Sequence, residues 1–166
     1  SKNLDEVLVG LRAVPPGEGS TQYAYDLLEK FSLKDKGDFI SEHKQVIKKC
    51  FSKNSVEDIF ATLEQVGGEW AEQVLESLRR KCPRSLKVSL RQLTQGRTLD
   101  FENCMIMELR LALRFMKEGD FYEGVRAMLV DKDFRPSWQP LTLNEIEDEE
   151  VEKFFQPLSD GDLTFS

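Results

Sequence analysis

The segment 100–118 constrains the fold of this chain more than any other part of the sequence. Its large apolar side chains fall on several sides of a helix instead of forming one stripe: Phe101, Met105, Ile106, Met107, Leu109, Leu111, Leu113 and Phe115. A helix of this kind is buried between layers of neighbouring structure. We expect it to begin at Thr98 or Asp100 and to run through Met116.

Helical periodicity extends over nearly all of the remaining sequence. Apolar residues recur three and four positions apart in the segments 4–11, 21–31, 40–51, 56–66 and 70–81. The stretch 87–90 could form a short strand, but the helical pattern around it is stronger. The sequence therefore predicts an all-α fold.

Turn and cap residues mark where these helices begin and end. Proline and glycine indicate a loop at 15–20, and Gly37 lies in a connector at 34–38. Asn54 or Ser55 can cap the start of the next helix, and Gly67-Gly68 can end it. These signals divide the first half of the chain into separate helices.

The second half carries similar signals. Pro83 suits the first turn of a helix, and Gly119 suits the C-terminal cap of the long apolar helix. Asp120 and Glu123 resemble a capping box, with Asp in place of the usual Ser or Thr. Asn144 can cap a last helix whose first turns are acidic, where the helix dipole favours negative charge.

The net charge of −7 belongs to the last 26 residues, since residues 141–166 carry eight acids and one base. The remainder of the chain is neutral, which argues against a general nucleic-acid binder. The acidic run is typical of a solvated helix face.

Three cysteines and one histidine (Cys50, Cys82, Cys104 and His43) lack metal-ligand spacing, so we expect no metal site. They do not form a disulfide framework either, and reduced thiols fit a matrix, cytosolic or peroxisomal protein. No apolar run is long enough to span a membrane, and no signal peptide opens the sequence. No P-loop, nucleophile elbow or HExxH motif is present.

Basic residues cluster between Ser77 and Leu99, a stretch without a single acid. If 83–95 is a helix, Arg84, Lys87 and Arg91 share one face. Such a stripe can bind a polyanionic ligand. It can equally pair with the acidic tail or face another part of the protein, and the sequence leaves these alternatives open.

Three segments carry a resemblance to a known family: CPRSLKVSLRQLTQG, MELRLALR and GDFYEGVRAMLVDKDFRPSWQPLTL. They resemble the C-terminal part of the 3-hydroxyisobutyryl-CoA hydrolases, a branch of the crotonase (enoyl-CoA hydratase/isomerase) superfamily. The resemblance implies the C-terminal helical region of a crotonase-like fold, with the α/β spiral of the core upstream and missing here. Residues 1–14 would end the core region, 20–81 would form a helical segment, and 82–166 would form the C-terminal helical region.

The family hydrolyses 3-hydroxyisobutyryl-CoA to 3-hydroxyisobutyrate and CoA in valine breakdown, so the resemblance implies an acyl-CoA partner and a mitochondrial location, with peroxisomes as the alternative. It places the oxyanion hole and the catalytic carboxylates upstream, so we name no catalytic residue and expect this chain alone to be inactive. No covalently bound cofactor is implied, because coenzyme A arrives with the substrate.

Coenzyme A is a polyanion of the kind that the stripe can bind, so Arg84, Lys87 and Arg91 are candidate contacts to its phosphates, and the resemblance adds Lys132. In crotonase relatives a Lys on the helix that matches Lys132 lies near the adenine end of CoA. Lys132 can instead stabilise a helix C-terminus through the dipole, and Arg126 has the same two interpretations.

Two alternatives to an enzyme remain. Some relatives have become non-catalytic assembly proteins such as subunits of mitochondrial ribosomes, and the chain can also be an independent helical interaction module. Because the long helix is apolar on several sides, we further expect exposed apolar faces and self-association or a homo-oligomer. No nucleic-acid or membrane partner is expected.

Overall fold

The computed structural model describes residues 2–14, 19–31 and 39–165. The chain divides into two units, Ser1–His43 and Lys44–Ser166. Most of the predicted loop 15–20 and the whole of the predicted connector 34–38 lie outside the described residues. The unit boundary falls inside the predicted segment 20–81, and the family roles assigned to the three segments stay predictions.

The first unit contains α1 (Lys2–Arg12) and α2 (Ser20–Phe31). The two helices approach closely at Gly10, where an added Cβ would lie 2.6 Å from Cδ2 of Leu27. No residue of α2 is buried, so a side-by-side contact of two amphipathic helices holds this unit together.

The second unit begins at Lys44, within α3 (Phe39–Phe51). It contains six further α-helices, a π-helical turn at Arg126–Val130 and a 3₁₀ turn at Leu143–Glu145. The α-helices are α4 (Val56–Val66), α5 (Gly68–Arg79), α6 (Pro83–Gly96), α7 (Phe101–Phe115), α8 (Gly119–Val125) and α9 (Asp148–Lys153). The described residues contain no strand, which confirms the prediction of an all-α fold.

Several of the predicted caps are confirmed. The Ser55 hydroxyl accepts a hydrogen bond from the Asp58 N–H at 3.0 Å and begins α4, and Gly67 ends it with a φ of 63°. Pro83 lies in the first turn of α6, and the Asp100 carboxylate caps α7. Each of these residues supplies a backbone geometry or an acceptor that a helix end requires.

Three predicted caps are wrong. Helix α7 ends at Phe115 before it reaches Gly119, and Asp120 is buried inside α8 instead of capping it. Asn144 is not a cap either, because Thr142 and Glu145 form a reciprocal capping box around the 3₁₀ turn. A capping box satisfies two backbone donors at once. This favours Thr142 over Asn144 as the cap residue.

Two buried clusters form the core of the second unit. The first lies between α3, α4 and α5 and contains Cys50, Ile59, Leu63, Ala71 and Leu75. The second joins α6 and α7 to the last part of the chain and contains Val88, Met107, Leu111, Ile146, Val151, Phe154 and Phe155. Leu90 packs against the first cluster and Val88 belongs to the second, so α6 supports both.

Helix α7 differs from the expectation of burial on several sides. Among its residues only Met107 and Leu111 are buried, and Phe101 is 73% exposed. In the described residues α6 and the C-terminal segment cover one side of α7. Phe101 and Leu113 are exposed and contribute to the exposed apolar surface that the sequence led us to expect, whereas Phe115 packs against the second cluster.

None of the described helices is long and apolar enough to cross a membrane.

Candidate functional site

Helix α6 places the three predicted basic residues Arg84, Lys87 and Arg91 on one face, as their spacing requires. The residues that oppose them come from α4, α8 and the acidic C-terminal segment. Each of the three cations forms an ion pair within the chain. The stripe is thus a surface at which distant segments meet.

Arg84 is the most enclosed of the three, with a side chain 11% exposed. Its Nη1 lies 2.7 Å from Oδ2 of Asp120 and its Nε lies 2.7 Å from Oε1 of Glu150. Nη1 also donates to the Gln139 carbonyl at 3.0 Å. Burial alone would lower the pKa of Arg84, but Glu150, Asp120 and Glu118 outweigh it and the pKa is raised.

Lys87 and Arg91 continue the pairing along α6. The Lys87 ammonium lies 2.8 Å from Oε1 of Glu57 and donates to the Ile146 carbonyl at 2.9 Å. Arg91 pairs with Glu152 and is more exposed, at 45%. Because Glu150 and Glu152 belong to the acidic tail, these contacts agree with the alternative in which stripe and tail pair. Contact with CoA at this stripe stays a prediction.

Asp120 is a buried partner that sequence reasoning missed. It is 6% exposed, and besides Arg84 it accepts a hydrogen bond from the Gln139 N–H at 2.9 Å. The thiol of Cys82 lies 3.4 Å from its Oδ2, and burial is the main reason why the pKa of Cys82 is raised. No local pattern distinguishes this Asp from a cap, since its partners lie 36 and 19 positions away.

Lys132 lies apart from the stripe, in a turn that follows the π-helical segment. The turn has two non-glycine residues with left-handed backbone, Lys132 with a φ of 53° and Phe134 with a φ of 57°. The Phe134 N–H donates to the Ala127 carbonyl at 3.1 Å and closes the turn onto the preceding helix. Lys132 and Phe134 are exposed.

Arg126 holds this turn through all of its side-chain donors. Nε and Nη2 donate to the two carboxylate oxygens of Glu123 at 2.8 and 2.9 Å. Nη1 donates to Asp131 at 2.6 Å and to Asp133 at 2.7 Å, and Nη2 reaches the Arg135 carbonyl at 3.3 Å. A guanidinium has five N–H donors, and each one has an acceptor here. Arg126 therefore has no donor left for a phosphate.

The same hydrogen bonds shift the ionisation of the partners. The side-chain bond to Arg126, followed by the Ser137 N–H, lowers the pKa of Glu123 to about 2. Arg126 and the Arg135 N–H lower the pKa of Asp133, and the carboxylates raise the pKa of Arg126. All of these groups thus remain charged over the physiological range.

A short link ties the turn to the stripe. The Ser137 N–H donates to Glu123 at 2.7 Å, and the Trp138 indole N–H donates to the Arg80 carbonyl at 3.0 Å. The next residue, Gln139, bonds both Asp120 and Arg84. The segment 131–139 is therefore fixed at both ends.

The comparisons with known proteins agree on a single family. The model of the enoyl-CoA hydratase/isomerase family matches residues 1–155. The chicken protein 3-hydroxyisobutyryl-CoA hydrolase, mitochondrial, is 42% identical over 165 residues, and the match covers 96% of this chain. The human protein of the same name is 40% identical over 132 residues, covering 80% of this chain. The *Arabidopsis thaliana* 3-hydroxyisobutyryl-CoA hydrolase-like protein 5 is 36% identical over 92% of this chain.

These relatives are much longer than this chain. The chain spans 42% of the length of the chicken and *Arabidopsis* proteins and 34% of the human one. Among solved structures, a carnitinyl-CoA dehydratase from *Mycobacterium thermoresistibile* matches 96% of this chain and 44% of its own with a TM-score of 0.79 and 24% identity. An enoyl-CoA hydratase from *Rhodobacter sphaeroides* matches 87% of this chain and 44% of its own with a TM-score of 0.71 and 28% identity.

Proposed function

This chain belongs to the enoyl-CoA hydratase/isomerase family, and from that membership we propose that it is the helical C-terminal part of an acyl-CoA thioester hydrolase. The proposed reaction converts 3-hydroxyisobutyryl-CoA and water to 3-hydroxyisobutyrate and CoA. The observation that carries the proposal is the similarity, over nearly the whole chain, to relatives named for this hydrolase. The same names support a mitochondrial location.

Hydrolysis of a thioester needs N–H donors for the oxyanion and a group that helps water to attack. We propose that both lie in the portion of the relatives that this chain does not match. We therefore expect the 166-residue chain to show no hydrolysis by itself. Its proposed role is to support the complete site at the CoA end.

Lys132 is the residue that we propose for contact with a CoA phosphate. It is exposed, and its ammonium makes no ion pair in the described part of the chain. A lysine ammonium is a common ligand for phosphate. Its exposed position in a turn fixed by Arg126 supports this role, and stabilisation of the helix dipole stays the alternative, since Lys132 directly follows the cap residue Asp131.

For Arg84, Lys87 and Arg91 the contacts with acids favour docking of the C-terminal segment. Phosphate contact at this stripe remains a separate proposal, and Lys87→Glu tests it in the complete enzyme. A raised KM that is larger at low salt would support contact with CoA, because exposed charge pairs are screened by salt. Lowered stability with an unchanged KM would refute it.

A chimera tests the proposed function. The chain would replace the matching segment of the chicken relative, and release of CoA from 3-hydroxyisobutyryl-CoA would be followed with a thiol reagent. We expect turnover by the chimera and none by the chain alone. In the chimera, Lys132→Gln should raise KM about tenfold with kcat unchanged, since a remote phosphate contact binds ground and transition states alike.

Lys117→Gln is the matched control, because Lys117 is exposed and lies outside the turn. Turnover by the chain alone would overturn our placement of the catalytic groups. A folded but inactive chimera would refute the hydrolase and favour the assembly role.

We also propose self-association of the isolated chain. Exposed apolar side chains on α7, just after it, on α8 and on the π-helical segment support it: Phe101, Met116, Phe121, Met128 and Leu129. Exposed patches of this kind bind partners or other copies. Sedimentation velocity at rising concentration measures it, and a monomer at high concentration would contradict the proposal.

A further inference from the structure

We propose that Arg126 is a positioning residue, which holds the turn 131–135 so that the Lys132 ammonium is free to bind an anionic phosphate. The inference rests on the proposed function, because it takes Lys132 as a contact to CoA. It goes further in assigning the geometry of this contact and the availability of the Lys132 ammonium to a residue that touches no ligand.

Every side-chain N–H donor of Arg126 has an acceptor within the chain. Its five donors bind carboxylates or a carbonyl at four positions, Glu123, Asp131, Asp133 and Arg135. One guanidinium therefore connects α8 to the start, middle and end of the turn. A rigid fork of donors fits such a set of acceptors better than a lysine ammonium does.

The backbone of the turn has an unusual conformation at two residues. Lys132 and Phe134 have φ values of 53° and 57°, a region that side-chain-bearing residues seldom adopt. Such conformations persist where the surroundings determine them fully, and they concentrate at functional sites. The hydrogen bonds from Arg126 to Asp131 and Asp133, on either side of Lys132, hold the backbone in this conformation.

Arg126 competes with Lys132 for the two neighbouring carboxylates. Lys132 lies between Asp131 and Asp133, two carboxylates within easy reach of its ammonium along the chain. Both carboxylates bind Arg126 instead, at 2.6 and 2.7 Å. Without Arg126 these carboxylates would be released to pair with Lys132 or to repel a phosphate. Arg126 thus keeps the neighbouring ammonium available.

The test follows the backbone of the turn by NMR spectroscopy of the chain itself, and it measures the affinity for coenzyme A on the chimera described above, which contains the complete site. A strong intraresidue amide–Hα NOE reports the left-handed backbone at Lys132 and Phe134. We expect Arg126→Gln to abolish this NOE and to raise the Kd for CoA about tenfold, as Lys132→Gln does. The double variant should bind no more weakly than Lys132→Gln alone. Arg126→Lys should not rescue binding, and Arg135→Gln, which keeps the backbone groups of the turn, should behave as the wild type.

Retention of the NOE in Arg126→Gln would overturn the inference, and so would effects on CoA binding that add in full in the double variant. If Arg126→Gln fails to fold, Asp133→Asn replaces it, and partial loss of the NOE with partial loss of affinity is expected. Normal CoA affinity in Lys132→Gln would refute the proposed phosphate contact. Loss of the NOE in Arg126→Gln would still support the hold on the turn, so the two failures are distinguishable.

Discussion

Removal of the Asp120 carboxylate should be among the most damaging single changes in the second unit. Asp120→Ala leaves the Arg84 guanidinium, 11% exposed, without the partner at 2.7 Å. It also removes the acceptor of the Gln139 N–H. Breaking one side of a buried ion pair costs about 3–5 kcal/mol, because the remaining charge stays buried and uncompensated. Arg84 retains Glu150, which places our expectation at the lower end, about 3 kcal/mol.

Urea unfolding followed by circular dichroism measures this loss in the free energy of unfolding. Glu118→Gln is the matched control, because Glu118 lies 3.7 Å from Arg84 and is 43% exposed. It should cost less than about 1 kcal/mol, as surface pairs do. Replacing both partners, in Arg84→Met with Asp120→Leu, should cost less than Asp120→Ala alone. A loss below about 1 kcal/mol for Asp120→Ala would refute the reasoning, because it would show that Arg84 does not depend on this partner.

Three further predictions follow from the contacts of other side chains. Lys87→Ala should lower the free energy of unfolding by about 1–2 kcal/mol, because the Lys87 side chain is only 14% exposed. Arg91→Ala should lower it by less than about 1 kcal/mol, because the Arg91 side chain is 45% exposed. Equal losses of stability for the two variants in urea titrations would contradict this. The pKa of Glu123 is lowered to about 2, so the stability from its pair with Arg126 should be complete above a pH of about 4.5 and be lost as the pH falls towards 2. Amide exchange in the turn measures it, and Glu123→Gln should weaken the dependence, leaving the part that comes from Asp133, whose pKa is also lowered by Arg126. Cys104 should react first with a maleimide, because the other two cysteines are buried; equal rates by mass spectrometry would disagree.

The helices and many of their ends could be predicted from the sequence, because periodicity and caps are local signals. Ser55, Pro83 and Asp100 act within three or four residues of their own positions. The shared face of the basic stripe followed from helix geometry alone. The sequence could not decide between the acidic tail and a ligand as partner of that face, since both offer negative charge.

Residues whose partners are distant in sequence were missed. Asp120 fitted a local capping pattern equally well, and only the fold brings it to Arg84 and Gln139. Arg126 had a clearer signal, since four acids lie within seven positions of it and three of them pair with it. The left-handed backbone at Lys132 and Phe134 had none, because neither residue favours it.

The pairing of α6 with the C-terminal segment also bears on the order in which the chain is made. Arg84 meets Glu150 across 66 positions, and Lys87 meets the Ile146 carbonyl across 59. During synthesis from the N-terminus, α6 leaves the ribosome well before either partner exists. The pairs of Arg84 with Glu150 and of Arg91 with Glu152, and the second core cluster, must therefore wait for the last twenty or so residues. A nascent chain halted before residue 146 would present α6 beside ribosomal RNA without Glu150 and Glu152, the partners of Arg84 and Arg91 in the C-terminal segment, and its remaining positive charge would favour retention there.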